Sequence, residues 1–126
     1  MDSSAIVAVM LQEPGCELIL DRIGAAGDIA VGAPTAVEAA MLLSSRLGRD
    51  ARPRLLQFLR EAEVEIIPFG AEYLDTAVDA FLRYGKGRHP AGLNFGDCLA
   101  YAVSRFSGVP LIFAGNDFRK ADLPTA

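Results

Sequence analysis

This chain is short of the residues that most often advertise a site. It has one histidine and two cysteines, Cys16 and Cys98, in 126 residues. A single His and two cysteines out of ligand spacing argue against a closed zinc centre. Without a secretion signal, the cysteines are expected to be free thiols in a reducing compartment. No apolar run reaches the roughly 18 residues a membrane helix needs. The opening MDSSAIVAVML lacks the basic n-region and small-residue cleavage site of a signal peptide. A cytoplasmic protein with no membrane segment is therefore expected. Basic charge is also scarce. The net charge is −4 and the pI about 4.9, which argues against gripping nucleic acid with the whole surface but allows a basic rim around an acidic centre. No repeat, low-complexity tract or linker stands out, so 1–126 reads as one domain. Its 52% hydrophobic content and mean hydropathy of +0.28 mark a chain that folds.

Apolar periodicity and punctuation predict six helices and three short strands. Residues 3–11 read as a helix with a Ser cap candidate. PGCELILDRIGAAG reads as a second helix with Pro14 in its first turn. DIAVGAP is a buried strand ending at Pro34. TAVEAAMLLSSRLG is a helix closed by Gly48, and ARPRLLQFLREAE is the next. VEIIPF is a strand, AEYLDTAVDAFLRYG a helix ending at Gly85, LNFGDCLAYAVSRFSG a helix ending at Gly108, and VPLIFAG a third strand. Strands alternating with helices imply an α/β fold with a mostly parallel sheet flanked by helices. Such a domain normally opens with a strand, yet Asp2 follows Met1 directly. The first strand is expected to be truncated: either it lies upstream or the chain lacks it.

Four carboxylates fall at matching places. Asp2 precedes the first helix, Glu38 lies in the first turn after the IAVGA strand, Asp97 in the first turn of the sixth helix, and Asp117 after PLIFAG. In a parallel α/β sheet, strand C-ends and helix N-ends share one edge, where ligand sites form. Each acid also has an ordinary reading. Thr35 and Glu38 have capping-box spacing. Asn94 and Asp97 could be a cap and a first-turn acid. Asp117 could be a turn residue, and Asp2 a solvated terminal acid. A buried stripe of Phe95, Leu99, Ala102, Val103 and Phe106 would leave Asp97 on the opposite face. Together, the four favour a site. Two carboxylates about 4 Å apart repel by on the order of 4 kcal/mol at an effective dielectric near 20, so a cluster shifts its pKa values or recruits a cation. Oxygen ligands suit Mg²⁺ or Mn²⁺, ions that activate water and steady the leaving oxygen of a phosphodiester.

The segments DSSAIVA, PTAVEAAMLL, YGKGRHPAGLNFGDCLAYAVS and PLIFAGNDF resemble, in this order and over nearly the whole chain, the PIN-domain ribonucleases of bacterial VapC-type toxins. The resemblance implies a PIN-like α/β fold and Mg²⁺- or Mn²⁺-dependent endoribonuclease activity. It also implies a small cognate antitoxin protein and a homodimer. Carried over by motif, Asp2, Glu38, Asp97 and Asp117 are the catalytic, metal-binding acids, with Asp117 the loosest match. Ser4 corresponds to the small hydroxyl residue beside the metal. Lys86, Arg88 and His89 in the loop before the sixth helix, together with Asn116, are expected to contact the RNA substrate, with His89 an accessory contact. Without the resemblance, that loop reads as a solvated turn. Family members usually carry a few apolar residues before the first aspartate, which this chain lacks.

Two other classes compete. One is a catalytically silent PIN-like module that binds RNA or protein, disfavoured by the intact acid set. The other is a small α/β phosphatase, which wants a D-x-D nucleophile motif where this chain has MDSSA.

Overall fold

The computed structural model describes residues 1–115 and 117–122, with Asp117 described by its backbone alone. Helices α1 (Ser3–Met10) and α2 (Cys16–Ala25) lead into strand β1 (Ile29–Gly32). Helices α3 (Ala33–Leu47) and α4 (Arg52–Glu61) lead into β2 (Val64–Ile67). A 3₁₀ turn (Ala71–Tyr73) precedes α5 (Leu74–Tyr84), and α6 (Phe95–Ser107) and a second 3₁₀ turn (Asp117–Lys120) complete the order. β1 and β2 pair in parallel, with Ile29 opposite Val64 and Gly32 opposite Ile67. The α/β architecture expected from the alternation of elements is therefore the one observed.

The third expected strand is reduced. Leu111, Ile112 and Phe113 are buried, but only Leu111 makes a ladder bridge. The space between this segment and β1 is taken by the first two residues. The Met1 ammonium donates to Ala30 O at 2.6 Å and the Asp2 amide donates to Ile112 O at 2.9 Å. Met1–Asp2 thus occupies the place of a first strand with two residues. A 440 Å³ cleft lined by Met1, Ala26, Ile29, Val109 and Ile112 continues that slot beyond the N-terminus.

Helix starts differ from expectation in ways that matter for the site. Asp2, not a serine, caps α1, its side chain accepting from the Ser4 amide. Helix α2 begins at Cys16 after a left-handed Gly15, so Pro14 lies in the preceding turn rather than in the helix. Helix α3 begins at Ala33 and takes Pro34 into its first turn, where a missing N–H and a fixed φ cost nothing. Gly48 and Gly108 end α3 and α6 in left-handed geometry, at φ 65° and 73°, as glycine at a helix end allows. One core cluster joins α1, α3, α4 and the two strands through Ile6, Val31, Leu43, Leu55 and Val64. Another joins α5, α6 and the C-terminal segment through Ala80, Leu93, Tyr101, Phe113 and Phe118. Among the described residues, no helix is long and apolar enough to cross a membrane.

Candidate active site

Asp2 is the centre of the acidic edge, and it is not a solvated terminal acid. It is 1% exposed. Its Oδ2 accepts from the Ser4 hydroxyl at 2.6 Å and the Ser4 amide at 3.2 Å. Its Oδ1 is buried and has no hydrogen-bond partner among the described residues. Burial raises the Asp2 pKa above its ordinary value, and the nearby Glu38 charge adds to the rise while the Ser4 bonds oppose it. The Ser4 hydroxyl also accepts from the Ala114 amide at 3.0 Å. One serine therefore ties the first acid to the segment that leads toward Asp117.

Glu38 has lost its ordinary explanation. Because α3 starts at Ala33 with Gly32 as cap, Thr35 is already inside the helix and no acid lies in its first turn. The capping box that the Thr35–Glu38 spacing allows does not form. The half-buried Glu38 carboxylate instead lies against the backbone of Gly96 in the first turn of α6, so close that a Cβ built on Gly96 would stand 2.7 Å from the carboxyl carbon.

Asp97 keeps its ordinary role. Asn94 Oδ1 accepts from the Asp97 amide at 2.9 Å and Asp97 Oδ2 accepts from the Asn94 amide at 3.0 Å, a reciprocal capping box. The carboxylate is held at the helix start, half-buried, on the turn that carries Gly96. The apolar stripe expected on α6 is corrected at both ends: Phe95 and Phe106 are exposed, and Gly96, Cys98, Ala100, Tyr101, Ala102 and Val103 form the buried face. Asp97 abuts that face rather than opposing it. Burial, aided by the Asp97 charge, pushes the Cys98 thiol up to about 11, so it stays protonated at neutral pH and is no nucleophile. Both cysteines are free, as expected.

The chain just after Asp117 is anchored at two points. Phe118 is buried against Phe113, ring centroids 5.2 Å apart. Beyond it, Asp122 accepts from the Tyr101 hydroxyl at 2.6 Å and lies 3.8 Å from Arg83 and 4.0 Å from Arg105. The Tyr101 bond holds the Asp122 pKa below its usual value, while burial and that bond raise that of the phenol. The Asp117 side chain and Asn116 lie outside the described residues. Among those residues no three His, Cys, Asp or Glu side chains close into a group that could hold a metal ion. What is brought together is Asp2 with Glu38 by charge, and Glu38 with the first turn of α6 by contact.

The basic loop is anchored next to that turn. The Lys86 amide donates to Leu93 O at 2.9 Å, one residue before the Asn94 cap. Lys86 and Arg88 are exposed, and the Arg88 guanidinium lies 5.1 Å from the Phe81 ring centre. His89 is partly structural: its Nδ1 accepts from the Ala91 amide at 3.0 Å and its ring meets Tyr84 edge-on. Sequence reasoning missed Gly96 and Tyr101. The signal for Gly96 was present, since a glycine inside a helix implies a packing reason.

A two-stranded parallel α/β domain with buried and half-buried carboxylates at its helix starts defines an acidic-edge α/β protein. The family model described as "PIN domain" matches residues 1–123, and the chain belongs to the PIN-domain family. It is 38% identical over 123 residues to "Ribonuclease VapC" of Mycolicibacterium smegmatis, covering 98% of this chain and 95% of that protein. It is 40% identical over 124 residues to "Ribonuclease VapC36" of Mycobacterium tuberculosis, covering 98% and 89%. The fold matches the crystal structure of Mycobacterium tuberculosis VapC20, described as a sarcin-ricin loop cleaving toxin, with a TM-score of 0.77 at 17% identity over 99% of this chain and 95% of that one.

Proposed function

We propose that this chain is the toxin of a toxin–antitoxin pair, a cytoplasmic endoribonuclease that hydrolyses RNA phosphodiester bonds with Mg²⁺ or Mn²⁺. The observation that carries the reading is Asp2 Oδ1, buried and without a partner among the described residues. A buried carboxylate oxygen with nothing to bind is costly unless the site serves a cation. The oxygen-only donor set suits a hard divalent ion. Asp2, Glu38 and Asp97 would hold it, with Asp117 as the fourth acid. When bound, such an ion polarises the phosphate and lowers the pKa of water.

The chain's own residues do the rest. Ser4 orients Asp2 through Oδ2. Gly96 leaves room for Glu38. Asn94 fixes Asp97. Lys86 and Arg88 pair with RNA phosphates, while His89 and Asn116 lend accessory contacts. The relatives' names as ribonucleases support the substrate class. Cleavage of RNA by the purified protein with Mn²⁺, abolished by a chelator and restored by Mg²⁺ or Mn²⁺, is the expected result. Absence of cleavage with either ion would refute it.

A small antitoxin completes the reading. Val37 and Met41 are exposed on α3, on either side of Glu38 in sequence, and Leu56 is exposed on α4. A partner covering this apolar surface would lie beside the acids, where an Arg could pair with carboxylates bidentately. Leu74, Val78, Phe81 and Leu82 form an exposed stripe on α5 that supports a homodimer. A second reading, a catalytically silent module, is favoured by one observation: the Asp97 carboxylate is engaged in a capping box. RNA binding without metal-dependent cleavage would select it.

A further inference from the structure

Phe95 is the most exposed large apolar side chain among the described residues, at 81%. Its place makes that exposure informative. It is the first residue of α6, and side chains in a helix lean toward its N-terminus, so a residue at this position leans off the helix end instead of down onto a preceding turn. The residue before it, Asn94, bonds the Asp97 amide, and the residue after it, Gly96, carries the Glu38 carboxylate against its backbone. Two residues upstream, Leu93 O accepts from the amide of Lys86, at the base of the loop that exposes Lys86 and Arg88. An open aromatic ring thus opens the helix turn that meets Glu38, two residues from the anchor of the basic loop.

We propose that Phe95 is a stacking platform for an unpaired RNA base next to the cleaved phosphodiester. This rests on the ribonuclease reading of the acidic edge. Single-stranded RNA is bound by aromatic rings that take a base face and by cations that track the backbone. Here the ring shares the first turn of α6 with Asp97 and Gly96 and follows by two residues the carbonyl that anchors the base of the cationic loop. A base seated on Phe95 would hold the adjoining phosphate near Asp97 and Glu38 while Lys86 and Arg88 meet the neighbouring phosphates. Because stacking accepts every base, the platform positions a single strand and makes little choice among sequences. It favours unpaired RNA over a duplex, whose bases are not splayed out.

The test compares Phe95→Ala, Phe95→Leu and Phe95→Trp with the wild type. The full chain is titrated with a fluorescent single-stranded RNA oligonucleotide, in chelator so that binding is read without cleavage, and KM and kcat are then measured with Mn²⁺. An 81% exposed side chain contributes little packing, so all three variants should fold. Phe95→Ala should weaken binding on the order of 10-fold and raise KM by a similar factor, with kcat changed less. Phe95→Trp should retain binding. Its indole, the only one in a chain without tryptophan, should be quenched by RNA. Phe95→Leu should behave like Phe95→Ala.

Wild-type affinity in Phe95→Ala overturns the proposal, as does full rescue by Phe95→Leu, which would mark a merely apolar contact. If Phe95→Ala leaves RNA affinity intact but abolishes self-association, the ring belongs to a protein interface and the proposal fails. A wild-type protein that neither binds nor cuts RNA overturns this inference and the ribonuclease reading together. Intact cleavage with an indifferent Phe95 overturns this inference alone.

Discussion

The Glu38 carboxylate occupies the space that a side chain on Gly96 would fill, with the carboxyl carbon 2.7 Å from where that Cβ would stand. Two elements far apart in sequence, α3 and α6, thus meet at an acid and a missing methyl group. Gly96→Ala should displace Glu38 while keeping the helix, since alanine is the better helix former by about 1 kcal/mol. The expected outcome is RNA cleavage reduced at least about 10-fold, equivalent to about 1.4 kcal/mol of transition-state stabilisation, with a melting temperature equal to or above that of the wild type. Wild-type cleavage in a folded Gly96→Ala protein would show that the position of Glu38 does not matter.

Asp2 should cost the metal-free protein stability. Its folded pKa is raised by burial, so the ionised form is disfavoured in the folded state. The sign follows by linkage: the stability tied to Asp2 is fully present below its unfolded pKa near 3.9 and is lost as pH rises through the raised folded value. Asp2→Asn keeps an efficient helix cap and removes the charge. It should raise the metal-free melting temperature at pH 7 and remove the stabilisation expected for the wild type on adding Mn²⁺. The wild-type Mn²⁺ affinity should in turn fall with decreasing pH, beginning above the ordinary carboxylate range. A destabilised Asp2→Asn protein at neutral pH would contradict the burial argument.

Glu38→Gln and Asp97→Asn separate stability from chemistry. Glu38 takes no part in capping, so Glu38→Gln should shift stability by less than about 0.5 kcal/mol. Asp97 closes the Asn94 box, and Asp97→Asn should cost up to about 1 kcal/mol. Both should abolish metal-dependent cleavage of RNA. Cleavage at the wild-type rate in Asp97→Asn would leave that carboxylate with its capping role alone.

Replacing Lys86 and Arg88 together with alanine should weaken RNA binding and flatten its dependence on salt. For a single strand, each phosphate that no longer meets a cation should reduce the logarithmic slope by about 0.7. Arg88 also rests against Phe81, so the melting temperature must be followed in parallel. An unchanged slope would place the loop away from the substrate.

Tyr101→Phe should loosen the C-terminal segment. It removes the bond to Asp122 at 2.6 Å, worth about 1 kcal/mol, and leaves the ring in the core. Faster amide hydrogen exchange across 117–122 is expected. If Asp117 is a ligand, weaker Mn²⁺ binding should accompany it. Unchanged exchange would assign the hold on that segment to Phe118 and to the Arg83 and Arg105 pairs with Asp122.

The sequence by itself determined the order of the six helices and the first two strands, and where the acids fall along them. Alternating apolar strands and amphipathic helices carry their periods in the local chain, and Gly48 and Gly108 mark helix ends because left-handed geometry is a local demand on one residue. The Asn94–Asp97 box was legible for the same reason: its partners stand three residues apart in one short segment. The meaning of Glu38 was not. TAVE reads as a capping box until tertiary packing starts α3 two residues earlier, at Ala33, and carries Glu38 across to Gly96. Phe95 reads as core by its spacing, yet it stands at the helix end and faces solvent. The burial of Asp2 came from long-range partners, Ile112 for its backbone and Ala114 on its Ser4 anchor. Periodicity fixes which side of an element is apolar. Only the arrangement of all the elements decides which ends are covered, and burial is what gives Asp2 its raised pKa and its unpartnered oxygen.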